Sequence, residues 1–277
     1  AEEGVPFLVS GAPTTNLAFG SLLSHPPISS VREFKVDNSA FGAEHGHVSG
    51  AIVNIVTRSG GETFHGEAFE FFRNDALDAR NFFEFNRTHP HPFERNQFGG
   101  ALGGPFLRQR GFFFATYEGL RQRQGLDMNS LVLSDEQRAA ATDPAIRRLI
   151  ALIPPANRVD AAGTPRFVGA AAAVVDSDRW TIDLKYELTA DDRVHVFYGN
   201  EKDRTTEPGS NGTTIPGFGH VSTRNADTLT VGHTHVFNRS ILNEARFGRS
   251  AAEGVALPKT GLNPADFGIV NGITRPI

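Results

Sequence analysis

The stretch RWTIDLKYELTADDRVHVFYGN, residues 179–200, alternates between polar and apolar residues in two runs that a few polar residues separate. Side chains of a β-strand alternate between its two faces, so one face of the first run is apolar and the other is polar. The apolar residues are Trp180, Ile182, Leu184, Tyr186 and Leu188, and the polar ones are Arg179, Thr181, Asp183, Lys185 and Glu187. The stretch therefore predicts a β-hairpin whose apolar face meets either another protein layer or lipid.

The composition of the 277-residue chain excludes several classes of function. Its 27 basic residues are balanced by 31 acidic ones, for a net charge of −4, so we expect no nucleic-acid partner. The absence of cysteine excludes a disulfide framework and thiolate chemistry. No apolar run reaches the ~18 residues that a transmembrane helix needs. The start, AEEGVPFLVS, has neither a methionine nor a signal-peptide pattern, so we expect an internal piece of a longer protein.

Candidate strands from residue 64 onward are joined by connections that alternate in length. The strands are predicted at 64–73, 96–106, 111–121, 178–188, 192–201, 226–237 and 240–249. The long connections are 74–95, 122–177 and 202–225, and the short ones are 107–110, 189–191 and 238–239. Alternate connections of an antiparallel meander lie at the same end of the sheet, so every long loop falls on one side. Outer-membrane barrels have this asymmetry, whereas a sandwich or propeller has no reason for it.

Strand length and charge agree with a membrane-spanning barrel. Ten residues at a rise of ~3.3 Å and a tilt of roughly 40° span about 25 Å, the height of the apolar band of such barrels. Basic side chains that faced lipid near the midplane would cost a few kcal/mol each, so the polar face of 179–187 is predicted to line a wet lumen. The apolar face of 180–188 is predicted to face lipid, with Trp180 and Tyr186 in the interfacial aromatic belts. The alternation by itself would fit a soluble β domain as well as a membrane barrel.

The connection at 122–177 has the signals of a short helical insertion. Ser134 and Gln137 fit a capping box before an alanine-rich run. Asp143 and Pro144 fit an N-cap followed by a first-turn proline, and Pro154-Pro155 would end the helix. We expect this helix to fold back onto the protein.

Residues 33–83, EFKVDNSAFGAEHGHVSGAIVNIVTRSGGETFHGEAFEFFRNDALDARNFF, resemble the plug-to-barrel junction of TonB-dependent outer-membrane receptors. The likeness is strongest to the subgroup with an N-terminal carboxypeptidase-regulatory-like domain. It continues through RNQFGGALGGPF, GFFFATYEGLR and NEARFG at 243–248, and covers most of residues 28–250. One departure is His45-Gly46, where the family often has Tyr-Gly.

The resemblance implies an all-β chain in two parts. Residues 1–61 would be the C-terminal part of a plug domain, and their own residue pattern predicts loop at 1–30 and strands at 30–37 and 51–61. Residues 62–277 would be the antiparallel up-and-down strands that begin a transmembrane β-barrel, here incomplete.

The resemblance also implies a location and partners. The protein would lie in the bacterial outer membrane, in contact with its lipid, and import an unidentified ligand with energy passed on by the TonB complex. The segment that contacts TonB is not expected in this chain. The family is not enzymatic and needs no cofactor.

Candidate ligand-binding residues in the first long loop are Asp75, Asp78, Arg80, His89 and His91. The pairs His45/His47, His89/His91 and His233/His235 place two imidazoles on one strand face, but no further ligand stands at a recognisable spacing, so we expect no metal site. GHVSG at 46–50 does not fit a nucleophile elbow, and GGALGG at 99–104 does not fit a phosphate-binding loop, so we expect no catalytic residues.

The sequence leaves two other functions possible. A secreted or surface β-sandwich that binds carbohydrate or peptide would pack its apolar strand faces against each other. An outer-membrane enzyme of barrel type would need a Ser/His/Asp set at the lumen or rim, and the sequence provides no pattern for one.

Overall fold

A computed structural model describes residues 5–16, 20–38, 51–79, 92–209, 215, 217–259, 261 and 264–268. Fourteen strands and two α-helices lie within these ranges. The strands of the first part are β1 (Phe7–Val9), β2 (Ala12–Pro13), β3 (Thr15–Asn16), β4 (Ser21–Leu22), β5 (Val31–Asn38) and β6 (Ala51–Thr57). The later strands are β7 (His65–Asn74), β8 (Phe93–Leu107), β9 (Gly111–Leu131), β10 (Arg158–Val159), β11 (Pro165–Glu187), β12 (Asp192–Glu207), β13 (His220–Asn238) and β14 (Ile241–Pro258). The helices are α1 (Asp135–Ala139) and α2 (Pro144–Leu152), and 3₁₀ turns lie at Ile28–Ser30, Asp75–Leu77 and Pro264–Phe267.

The later strands form one large antiparallel sheet, which we call the wall. Its strand order is β14-β13-β12-β11-β9-β8-β7, with β10 paired to β11 outside this path. Strands that follow one another along the chain are therefore neighbours in the sheet, as in an up-and-down barrel. Within the described ranges, β7 and β14 are the two edges and the wall does not close. The predicted fold class is confirmed.

The short connections lie where the sequence predicts them, at one end of the wall. Between β11 and β12, the Thr189 hydroxyl donates to Asp192 at 2.7 Å, and the Leu188 N–H donates to the Asp192 carbonyl at 3.0 Å. Between β13 and β14, Asn238 pairs with Ile241, which leaves a two-residue turn. Asn and Asp side chains stabilise such turns because they accept hydrogen bonds from nearby backbone N–H groups.

The long connections are shorter than the sequence predicts. They run over 75–92, 132–164 and 208–219 instead of 74–95, 122–177 and 202–225, because the flanking strands continue past the apolar band. Residues 122–131 pair with 166–175 in an unbroken ladder. The alanine run at 170–173 has weak strand propensity and no alternation, so the pattern in the sequence did not indicate this ladder. Cross-strand pairing supplies the structure that local propensity lacks.

A smaller sheet of order β2-β1-β6-β5, which we call the small sheet, lies against one face of the wall. The strands predicted near 30–37 and 51–61 are its strands β5 and β6. The loop predicted at 1–30 instead contains short strands, of which β1 pairs in parallel with β6. Val9, Val53 and Ile55 of the small sheet pack on Phe197 of β12, which is 1% exposed. This cluster is the apolar contact that joins the two sheets.

The helical insertion forms within the connection 132–164, as predicted. The capping box is complete, since the Gln137 N–H donates to the Ser134 hydroxyl at 3.1 Å and the Ser134 N–H donates to the Gln137 side chain at 2.9 Å. Asp143 caps α2 by accepting from the Ala145 N–H at 2.7 Å. None of the helices among the described residues is long and apolar enough to cross a membrane.

After α2, Asp160 organises the turn that leads into β11. Its side chain accepts from the Arg166 guanidinium at 2.8 Å and from the Thr164 N–H at 2.9 Å. The hydrogen bond from Arg166, together with that from the Thr164 backbone, lowers the pKa of Asp160 to about 2.

The junction between the two sheets passes very close to the wall at one glycine of a pair. A Cβ on Gly60 would overlap the backbone of Phe113 in β9, whereas a Cβ on Gly61 would meet no atom within 4 Å. Backbone atoms in the middle of a sheet cannot move aside as a flexible side chain can. Only the first of the two adjacent glycines is therefore required by packing.

We expect Gly60→Ala to destabilise the protein by about 1–3 kcal/mol, the usual cost of an extra methyl group in a filled space. Gly61→Ala is the matched control and should stay within about 0.5 kcal/mol of the parent. The temperature at which the heat-modifiable gel band of the protein from outer-membrane vesicles disappears would measure both. Equal temperatures for the two variants would contradict the close approach at Gly60.

Candidate functional site

The five polar residues predicted from the hairpin pattern share the wall face that the small sheet covers, which we call the inner face. Asp183 contacts Thr57 of β6 in the small sheet, and Thr181 bonds to Thr116 of β9 at 2.6 Å. Thr181 and Asp183 are 3% and 2% exposed, because the small sheet lies on them. Lys185 and Glu187 line a cavity between the two sheets. That this face is a water-filled lumen remains a prediction.

The five apolar residues of the same strand lie on the opposite, outer face. The Trp180 and Tyr198 rings are 5.2 Å apart there, and the Phe106 and Tyr186 rings are 6.3 Å apart. Trp180 is 39% exposed and Leu188 48% exposed, so no described part of the chain covers this face. That it faces lipid also remains a prediction.

Asp183 joins the small sheet to two wall strands. Its Oδ2 accepts from the Thr57 hydroxyl at 3.1 Å and lies 2.7 Å from Nε2 of His195 on β12. The Ser10 and Thr57 hydroxyl oxygens are 2.6 Å apart. Because Thr57 has a single hydroxyl proton, which it gives to Asp183, Ser10 must be the donor between the two hydroxyls. The result is a directed chain of hydrogen bonds from the β1–β2 turn into the wall.

Glu201 of β12 is the centre of a second contact between the sheets, and it is 1% exposed. From the segment that precedes the small-sheet strand β5, the His25 N–H donates to Oε2 at 2.9 Å, and His25 Nδ1 lies 3.1 Å from the same oxygen. From the wall, Arg179 donates to Oε1 at 3.1 Å and Arg224 donates to Oε2 at 3.0 Å. Arg224 also donates to the backbone carbonyl of Leu23. One buried carboxylate therefore collects donors from both parts of the chain.

Asp203 completes the charge balance around Glu201. It lies 3.9 Å from the Arg179 guanidinium and 3.7 Å from that of Arg224. Two arginines thus stand between two carboxylates. A buried carboxylate is tolerated only when it is paired and hydrogen-bonded in this way.

The candidate residues of the first long loop are placed only in part. Asp75 accepts from the Phe93 N–H at 3.1 Å and closes the base of the loop, while Asp78 accepts from Arg73 at 3.0 Å. Both side chains have structural partners, and a ligand role for them stays a prediction. Arg80, His89 and His91 lie outside the described residues.

Of the histidine pairs, His233 and His235 are both described. Their rings contact Oδ1 of Asp192 at 3.1 Å and 2.7 Å on the outer face. Across the ranges that the structure describes, no group of three or more His, Cys, Asp and Glu side chains is arranged to hold a metal ion. His45 and His47 lie outside those ranges.

Sequence reasoning missed the residues that pair with the inner face. Glu201 had a usable signal, because a hairpin centred on residue 190 places it opposite Arg179, as the register does. Arg224 lies on the next strand, inside a predicted loop, and His25 lies in a segment without periodicity. Neither residue carried a pattern that the sequence could reveal.

Comparison with known proteins agrees with this architecture. Residues 56–276 match the family described as outer membrane beta barrel domain. The chain is 24% identical, over an alignment of 288 residues, to the TonB-dependent transporter Oar of Myxococcus xanthus. That alignment covers 98% of this chain and 26% of the relative, so the chain spans about a quarter of its length.

A similar fold is found in a solved structure, a mutant of the ferric enterobactin receptor PfeA from Pseudomonas aeruginosa. The TM-score is 0.54 at 15% sequence identity, over 91% of this chain and 33% of that one. Since the family match covers well over half of the residues, the chain belongs to the outer membrane beta barrel domain family, and its up-and-down strands form part of an unclosed barrel in the bacterial outer membrane.

Proposed function

We propose that this chain is the plug-to-barrel part of a TonB-dependent receptor that takes up an unidentified ligand with energy from the inner membrane. Residues 1–61 would form the end of the plug and residues 62–277 the first part of the barrel. The similar protein of Myxococcus xanthus is a TonB-dependent transporter, which supports this assignment. The observation that carries it is the polar attachment of the small sheet to the inner face, through Asp183 and Glu201.

Polar attachment suits a plug that has to move. Hydrogen bonds and ion pairs that break when the plug shifts can be replaced by bonds to water, so the net cost of each is only about 0.5–3 kcal/mol. Detaching a wholly apolar interface would expose its full area to water at roughly 25 cal/mol per Å². The described contact combines one small apolar cluster around Phe197 with several polar links. Such an interface holds the plug firmly at rest and allows its displacement under force.

The outer face supports contact with lipid. Its large apolar side chains are uncovered, with Leu102 51%, Phe106 55% and Phe247 61% exposed. Beyond Trp180, towards the long connections, the outer-face positions become charged and paired, as in Arg121–Asp178 at 2.8 Å and Arg123–Asp176 at 2.8 Å. An apolar band that ends at aromatic rings and then at charges is the profile of a barrel strand that leaves the membrane.

The alternative function, a β-sandwich binding module, is less well supported. It would need a second sheet on the apolar face of the wall, and the described residues provide none there. The small sheet lies on the polar face instead.

The orientation of β11 can be tested with single cysteines, because the chain has none of its own. In outer membranes, Lys185→Cys should react with a water-soluble maleimide and Leu184→Cys should not, because the two side chains point to opposite faces. A lipid-soluble probe should reverse the pattern, and Ala190→Cys in the adjacent turn is the control for access of the aqueous reagent. If Leu184→Cys reacts with the aqueous reagent as fast as Lys185→Cys does, the lipid-facing assignment is wrong.

Energised plug movement can be tested at Thr57, which is 5% exposed beneath Asp183. We expect Thr57→Cys to react with a water-soluble maleimide in energised cells, and the reaction to fall several-fold when a protonophore is added. Ala161→Cys, at an exposed turn, is the control and should react equally in both conditions. Equal labelling of Thr57→Cys with and without the protonophore would contradict the proposed coupling. Labelling in cells that lack TonB that equals the labelling in cells that have it would contradict it too.

The Glu201 contact can be tested by neutralising its charge. Glu201→Gln leaves two arginines with Asp203 as their one carboxylate and removes the charged acceptor of His25, so we expect the attachment of the small sheet to weaken by about 3 kcal/mol. Trypsin should then cut after Arg32 or Lys35 at a lower temperature than in the parent. Glu207→Gln, at an exposed position of the same strand, is the matched control. A shift of the same size in both variants would refute a specific role for Glu201.

A further inference from the structure

A cavity of about 600 Å³ lies between the small sheet and the wall, at the end where the short turns are. Strands β5 and β6, the segment after β6 and the β1–β2 turn form one side, and strands β9 and β11 to β14 of the wall form the other. Its volume is within the range of about 300–1,000 Å³ that is typical of small-molecule sites. It adjoins the contact centred on Asp183, since Ser10, Thr57 and His195 line it, and Glu201 is not among its lining residues.

The cavity carries an excess of positive charge. Arg32, Lys185, Arg193 and Arg246 line it, against the carboxylates of Glu187 and Glu244. Both carboxylates are already paired, Glu187 with Arg193 at 3.8 Å and Glu244 with Arg246. Among the described residues, Arg32 and Lys185 have no salt-bridge partner. One of these cations belongs to the small sheet and the other to the wall.

Several other arginines of the wall are balanced by carboxylates, unlike Arg32 and Lys185. Three outer-face arginines nearer the other end of the wall each have an aspartate, with Arg121 on Asp178, Arg123 on Asp176 and Arg249 on Asp227. The arginines around Glu201 are likewise balanced by two carboxylates. Two cations without an anion, one on each side of a concave space, attract anions more strongly than scattered surface charges do, because the low-dielectric walls concentrate the field.

We propose that this cavity binds the anionic group of a ligand, a carboxylate or a phosphate, held between Arg32 of the small sheet and Lys185 of the wall. A guanidinium on one side and an ammonium on the other suit such a group, since both donate charge-assisted hydrogen bonds and neither can accept one. The proposal rests on the proposed transport function, in which it assigns an anionic class of ligand and a site on its path between plug and wall. An anion bound there is released when the small sheet moves, because Arg32 moves with it.

The test uses Ser59→Cys, at a half-buried position that lines the cavity, in the protein in outer-membrane vesicles. The rates of modification by an anionic and a cationic methanethiosulfonate reagent are compared as a ratio, anionic over cationic. We expect this ratio to be several-fold higher at Ser59→Cys than at Ala161→Cys on an exposed turn. Adding Lys185→Gln or Arg32→Gln should lower the ratio by about three- to ten-fold, the effect of one unit charge at this range in a wet cavity.

Lys202→Gln is the matched control, because Lys202 is an exposed lysine on the outer face of β12 and does not line this cavity. It should leave the ratio unchanged. Millimolar citrate or inorganic pyrophosphate, but not glycerol, should slow the modification of Ser59→Cys by the anionic reagent, and Lys185→Gln should abolish this protection.

Equal ratios in the Lys185→Gln and Lys202→Gln variants, or no protection by either anion, would overturn the proposal. Failure of both reagents to reach Ser59→Cys would also overturn it, because the cavity would then be closed to water. The barrel assignment is judged separately, by the labelling pattern at Leu184 and Lys185. If the anion test fails while Leu184→Cys and Lys185→Cys label as expected, only the anion site is refuted and the proposed transport function is unaffected.

Discussion

The burial of carboxylates beneath the small sheet is the constraint on which the rest of the structure depends. Asp183 and Glu201 are 2% and 1% exposed, and an unpaired charge in such a place would cost several kcal/mol. Their donors come from both sides of the interface, from Thr57 and His25 on one side and from His195, Arg179 and Arg224 on the other. The small sheet therefore has one acceptable position on the wall, set by hydrogen-bond geometry more than by the apolar cluster at Phe197.

The same constraint determines the register of the wall. A shift of β11 by one residue would turn Asp183 outward and bring Leu184 under the small sheet, because strand side chains alternate faces. It would also remove Arg179 from Glu201, which it faces directly across the β11–β12 ladder. Two opposite demands, a hydrogen-bonded inner face and an apolar outer face, are thus met by a single alignment of strands. The long strands make this alignment cooperative, since every pair along the ladder shares it.

Along the inner face, from Glu201 towards the short turns, the ratio of basic to acidic side chains changes from equal numbers to an excess of basic ones. Around Glu201 two arginines meet two carboxylates, and the small sheet is held there. Towards the short turns the cations exceed the carboxylates, and the two sheets separate around the cavity that contains Arg32 and Lys185. The small sheet is therefore attached to the wall at one level and separated from it by an open space at another. The two properties follow from where the acidic residues stand on β11 and β12.

The sequence by itself determined the period-two pattern of 179–188, the three short turns, the helix caps at Ser134 and Asp143, and the resemblance at 33–83. These features are local, since each depends on residues close to one another along the chain. Only the tertiary structure decided that residues 122–131 pair with 166–175, and that His25 and Arg224 meet at Glu201. Pairing partners so distant along the chain leave no periodicity, because their contact depends on the docking of two sheets. The sequence thus revealed which faces are polar, and the fold alone decided which polar groups face each other.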